Sequence, residues 1–223
     1  MPTKPNIVVL LSLLWPFFAG NESSAGTVEG TATIKVVEKP QRPPRYYLGL
    51  RRSARQTTGQ EHAASKDLVV FLDGVPQQEG SSLPRQNPRM LQQHGRFIPH
   101  VLPILAGATV EFPNQDDFYH NVFSVVAGDR FDLGRFAAGK SEQQPFTKPG
   151  VVVVRCEIHS GMKAFIVVLE NPYFAVPDTT GRFEIPAVPT GTYTIKAWHP
   201  TQGEQSRSIT VPDAAAVEVN FAF

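Results

Sequence analysis

Apolar and polar positions alternate in short runs along this chain, and no stretch sustains a helical period. Val28, Thr31, Thr33, Lys35 and Val37 read as one extended strand, with Gly26 and Gly30 near its start. Leu68 to Leu72 is a second strand, closed by the turn pair Asp73-Gly74. Residues 76–96 are polar and turn-rich. The apolar positions that follow (Phe97, Ile98, Val101, Leu102, Ile104, Leu105) are barred from a helix by Pro99 and Pro103. Thr109 to Phe112 alternates and stops at Pro113-Asn114. Val122 to Val126, Val151 to Val154 and Phe165 to Leu169 are further strands, with a turn over Phe146 to Gly150. Near the end, turns at Thr180-Gly181 and Pro189-Thr190-Gly191 bracket strands at Arg182 to Ile185 and Tyr193 to Trp198. Ile209 to Val211 and Val217 to Phe223 then alternate to the last residue. Short strands separated by Gly/Pro turns predict an all-β chain of sandwich type.

Composition narrows the function classes. The 223 residues include 20 prolines and 17 glycines, too many for a helical bundle. With 21 basic against 20 acidic side chains, the chain lacks the basic excess of a nucleic-acid binder. One cysteine excludes a disulfide framework and every multi-cysteine zinc or iron–sulfur site within the chain. Lys4, the apolar run Ile7 to Ala19 and Ser23-Ser24-Ala25 read as a signal peptide over residues 1–25. The apolar run is too short to span a bilayer and contains Pro16, so the mature chain is expected to be secreted or periplasmic with no membrane span. In that oxidising setting a lone thiol must be buried, reactive, paired between molecules or bound to metal. From residue 39 to 55, Lys39, Arg42, Arg45, Arg51, Arg52 and Arg55 occur with no acidic residue. This basic loop is either solvated or a docking surface for an acidic partner.

The thiol sits in Cys156-Glu157-Ile158-His159-Ser160-Gly161-Met162, between two apolar strands. One loop therefore carries a thiolate, an imidazole and a thioether that can turn to one point. Thiolate and thioether select soft ions such as Cu(I), and imidazole suits both copper valences. A fourth donor must come from elsewhere, and His120 in His120-Asn121-Val122, at the junction of two predicted strands, is the strongest candidate. Two histidines, one cysteine and a weak axial methionine make the trigonal arrangement of blue-copper centres. Copper would also protect an unpaired thiol from oxidation by occupying it.

Gly107-x-Thr109-Val110-x-Phe112-x-Asn114, His120-Asn121-Val122 and the Cys156–Met162 loop together resemble the cupredoxins, with a loop spacing most similar to amicyanin. The resemblance covers roughly residues 95–170. It implies a Greek-key β-sandwich that holds one mononuclear copper ion through His120, Cys156, His159 and Met162. It also implies one-electron transfer with a redox protein as partner. Asn114 and Asn121 match family asparagines near the site and are expected to hold the ligand loops by hydrogen bonds. The family's exposed apolar collar around the second histidine is less evident here, because Glu157 and Ser160 are polar.

A second resemblance covers residues 171–223. Asp178-Thr179-Thr180-Gly181-Arg182-Phe183-Glu184-Ile185 and Val188-Pro189-x-Gly191-x-Tyr193 are similar to carboxypeptidase regulatory-like modules, which are small transthyretin-like sandwiches. The early strands of that module fit Val28 to Val37 and Leu68 to Leu72. The expected organisation is therefore a signal peptide (1–25), first strands of the regulatory-like sandwich (26–75), a cupredoxin domain (76–170) and the rest of the sandwich (171–223). This arrangement also looks like methylamine-utilisation-type periplasmic proteins. Among the other polar residues, His94, His100 and His199 are expected to be hydrogen-bonding or turn histidines, and Asp116-Asp117 a solvated acidic turn. The leading functional expectation is an electron carrier and not an enzyme. Copper storage or delivery without redox turnover, and a catalytic copper site with an open coordination position, remain alternatives. Oligomeric state is left open.

Overall fold

A computed structural model describes residues 25–34, 67–76, 86–125 and 130–223. The signal segment up to Ser24, the basic loop 39–55, and Lys35, Val37 and Val126 of two predicted strands lie outside the described residues. Among the described residues there are sixteen strands and no α-helix, as the short alternating runs predict. They are β1 (Ala25–Thr33), β2 (Val69–Asp73), β3 (Leu91–Gln93), β4 (Arg96–Ile98), β5 (Val101–Leu105), β6 (Ala108–Pro113), β7 (His120–Ser124) and β8 (Phe131–Phe136). The second half contributes β9 (Ser141–Phe146), β10 (Gly150–Arg155), β11 (Lys163–Leu169), β12 (Phe174–Ala175), β13 (Arg182–Pro189), β14 (Gly191–His199), β15 (Gly203–Val211) and β16 (Ala216–Ala222).

The main sheets are ordered β13-β1-β16, β12-β2-β14-β15 and β5-β11-β10-β7-β8, with two-stranded pairs β3-β4 and β6-β9. Their side chains gather into three buried layers. Val28 and Phe183 from the first sheet share a core with Leu72, Ile195 and Val211 from the second. The other face of the second sheet, through Val69, Phe71 and Trp198, meets Val101, Val153, Phe165 and Val167 of the third. The far side of the third sheet packs Val122, Val154 and Ile166 against Val110, Phe112 and Phe146 of the β6-β9 pair. Strand β11 explains the stacking. Its sequence, KAFIVVL, is apolar on both faces, so Ala164, Ile166 and Val168 enter one layer while Phe165, Val167 and Leu169 enter the other. Each of the larger ones (Phe, Ile, Val, Leu) contributes about 1.5–3 kcal/mol when removed from water.

The first two sheets form an outer sandwich and the third sheet with the β6-β9 pair an inner one, and strands distant in sequence complete the outer. Residues of β1 pair antiparallel with β13 (Val28↔Ile185) and parallel with β16 (Val28↔Val217), and β2 lies between β12 and β14. At Gly30 the backbone of Val219 comes so close that a Cβ would collide with its carbonyl, which explains the glycine.

Some element bounds depart from the sequence pattern. Ala25, assigned to the leader, is the first residue of β1 and pairs with Pro189. The predicted strand at 122–126 begins two residues earlier, which makes His120 the first residue of β7, after the loop from β6. Strand β9 (SEQQPF) and the first two thirds of β15 (GEQSRS) are polar and largely exposed, so they carry no apolar period to detect.

Candidate metal centre

Strand alternation alone brings the sulfur residues together. On β10 and β11, Val154 pairs with Ala164 on the inward face and Arg155 pairs with Lys163 outward. One step further, Cys156 N–H donates to Met162 O at 3.1 Å, so residues 156 and 162 continue the inward face from opposite sides. Both side chains are buried in the same layer as Val154. The intervening loop is closed by Met162 N–H donating to His159 O at 2.9 Å, which folds His159 back over the end of the core.

His120 reaches this point from β7, the neighbour of β10. Its Nδ1 lies 3.8 Å from Cys156 Sγ, and Nδ1 of His159 lies 3.7 Å from the same sulfur. A thiol has one hydrogen and cannot donate to both imidazoles at once. With metal–nitrogen bonds of about 2.05 Å and a metal–sulfur bond of about 2.3 Å, as at zinc sites, one shared ion sets these atoms about 3.8 Å apart at a trigonal angle and about 3.6 Å at a tetrahedral one. The observed separations of 3.8 and 3.7 Å fall in the range that one shared ion sets. Among the described residues, His120, Cys156 and His159 form the one group of three such donors within mutual reach of an ion. His120 is fully buried and His159 half-buried, so the site meets solvent on the His159 side.

The predicted asparagines bond to the loops that carry the donors. Asn121 Oδ1 accepts from Glu157 N–H at 3.2 Å, while its amide donates to Asp132 Oδ1 and Gly134 O, tying the cysteine loop to β8 and the turn within it. Asn114 Oδ1 accepts from Asp116 N–H, and its amide donates to the carbonyls of Phe118 and Phe136. This fixes the turn that leads into His120.

One expectation needs correction. Asp116 is not in a solvated turn; it is buried, and its carboxylate accepts from His94 N–H at 2.6 Å, Gly95 N–H at 2.9 Å and His120 Nε2 at 2.8 Å. Burial alone would raise its pKa, but the hydrogen bonds from Gly95, the His120 ring and His94 together hold it below the ordinary carboxylate value. The apolar collar, less evident in the sequence because Glu157 and Ser160 are polar, has aromatic contributors on the loop before β7 as well. The Phe118 ring packs against both His120 and His159, at centroid distances of 4.9 and 5.2 Å, and Phe118, Tyr119 and Ile158 are exposed. A signal for this collar lay in Phe118-Tyr119, two aromatics directly before His120 in an otherwise polar loop.

The other described histidines stand outside the donor group. His94 contributes only its backbone N–H, His100 pairs with Asp67 at 2.8 Å, and buried His199 accepts from Thr201 and Gln202 through Nδ1.

No family model matches the chain, and no curated protein matches it either. Solved structures similar to part of it include a copper-containing nitrite reductase from Thermus scotoductus SA-01, at 32% identity over 43% of this chain and a TM-score of 0.37. The chain spans only 25% of that reductase. A purple cupredoxin from Nitrosopumilus maritimus matches at 22% identity over 37% of this chain and all of its own length, with a TM-score of 0.34. A reduced amicyanin variant matches at 17% identity over 45% of this chain and 98% of its own, with a TM-score of 0.37.

Proposed function

We propose that the protein is a secreted or periplasmic copper protein that carries single electrons at one mononuclear blue-copper-type site, formed by His120, Cys156, His159 and Met162. One observation carries the reading: Cys156 Sγ lies almost equally far from two imidazole nitrogens, at 3.8 and 3.7 Å, a spacing suited to one shared ion. The thiolate and the nearby thioether favour a soft, redox-active ion over zinc, and this donor set is that of a blue-copper centre. When bound, copper supplies the one-electron couple. The chain supplies the frame. Asn121 and Asn114 hold the two ligand loops, and Phe118 covers both imidazoles, so the donors stay in place in either valence and reorganisation is small.

His159 is the donor nearest solvent, and Phe118, Tyr119 and Ile158 make an apolar rim there. The partner that fits is a redox protein with an apolar contact face. In this reading residues 76–170 are the cupredoxin domain. The described residues of 26–75, with 171–223, form the regulatory-like sandwich that supports it, and the protein is a carrier and not an enzyme.

Cu(II) added to the mature protein should give intense visible absorption, and Cys156→Ser should abolish it. A wild-type protein that stays colourless with copper would sink the proposal. Met162→Leu should keep the colour and raise the potential, because a weaker axial donor stabilises Cu(II) less. An unchanged potential would remove Met162 from the axial role.

A further inference from the structure

We propose that Asp116 is a positioning residue that holds His120 in the Nε2-protonated tautomer and lowers the potential of the ion bound at its Nδ1. This rests on the copper reading above. His120 is 0% exposed, so both ring nitrogens must find partners inside the protein. A neutral imidazole carries one proton, on one nitrogen or the other. Nε2 lies 2.8 Å from Asp116 Oδ2. The other groups on that carboxylate, His94 N–H on Oδ1 and Gly95 N–H on Oδ2, are both donors. A proton on Oδ1 would face the His94 N–H, and Oδ2 already accepts from the Gly95 N–H, so we assign Asp116 as the carboxylate and the shared proton to Nε2. The lone pair of Nδ1 is then free, and it faces Cys156 Sγ. The tautomer that ligation needs is thus set before any metal arrives.

The carboxylate is itself clamped. His94 and Gly95 form the two-residue turn of the β3–β4 hairpin, with φ of 54° and 66°, and this left-handed pair turns two successive N–H groups to one side. Asn114 Oδ1, accepting from Asp116 N–H at 3.0 Å, orients the backbone beneath it. A hairpin with no ligand of its own therefore anchors a ligand through one carboxylate. Negative charge hydrogen-bonded to a ligating imidazole strengthens that donor and favours the more positive ion, so it lowers the potential.

Nitrogen-15 NMR of the metal-free wild-type protein reads the tautomer without any substitution. We expect the His120 proton on Nε2, and a proton on Nδ1 would overturn the assignment. In the copper-loaded full chain, Asp116→Asn removes the charge and turns an amide N–H toward the hairpin donors. It should raise the potential and weaken copper binding about 10- to 100-fold while the visible band persists. A variant with wild-type potential and affinity overturns the proposed tuning. If the variant fails to fold, the wild-type tautomer still decides the positioning role. A wild-type protein that takes up no copper defeats the earlier reading, and the NMR result then judges Asp116 by itself.

Discussion

The inner and outer sandwiches are built alike, from two sheets over a hydrocarbon core, yet they finish differently. The inner core runs through residues 90–168, and at one end its hydrocarbon face gives way to Cys156, Met162 and His120. The outer core joins residues 28–75 to 173–221 and contains aliphatic side chains with Phe183, Phe221, Tyr173 and Tyr193. One of its described turns is held by Asp178 Oδ1, which accepts from Thr180 and Arg182. The difference teaches that the donor group is a local edit of one sandwich end. His120 and the loop N–H groups there are hydrogen-bonded by Asn114, Asp116 and Asn121, while the hydrocarbon layer continues beneath. Stability of the outer sandwich and chemistry of the inner one should then vary independently.

The hardest test of that independence is Ile195→Ala. Ile195 is wholly buried in the outer core, and truncation should cost about 2–5 kcal/mol. We expect a lower melting temperature with an unchanged copper titration at temperatures where the protein stays folded. Copper affinity that falls in step would mean the layer at Phe165 and Trp198 couples the two units.

A smaller effect is expected from acid. Burial pushes the His199 imidazole below its ordinary pKa near 6.5, opposed by Asp67 and reinforced by His100. The unfolded chain therefore binds this proton more readily than the folded one. The stability held by neutral His199 is complete above about pH 6.5 and declines as pH falls from there through the lower folded value. Denaturant titrations at pH 7 and pH 5 should show a larger acid loss in the wild type than in His199→Gln. Equal losses would remove His199 as a source.

The smallest effect belongs to the exposed pair of Arg135 and Glu157, 3.1 Å apart beside the donor group. Arg135→Ala should change stability by less than about 0.5 kcal/mol. A larger loss in thermal unfolding would show that surface charge, and not only the buried network, supports this end of the inner sandwich.

What could be read from residues alone follows from where the information lies. Strand β11 and the loop from Cys156 to Met162 were legible because alternation and donor spacing are local. His120 was legible because its neighbours Asn121 and Val122 fit the pattern of a strand start. The burial of Asp116 was not, since its partners His94 and Gly95 lie over twenty positions away and contribute backbone rather than side-chain groups. Polar strands such as β9 escaped for another reason: paired only with β6 and mostly exposed, they answer to hydrogen bonding and not to hydrophobic period. The collar was less evident because Glu157 and Ser160 are polar, whereas Phe118 reaches it from the loop before β7.

The pairing of β1 with β16 has a consequence for biogenesis. Their contacting residues Thr31 and Asn220 are 189 positions apart, and the strands run parallel. As synthesis proceeds from the amino end, the inner sandwich has all its strands well before β16 emerges, whereas β1 must wait for both of its neighbours. Closing so long a loop is slow compared with local pairing. The inner unit can thus mature first, and an early stop within β16 would leave β1 with one bare edge, open to pairing with another chain.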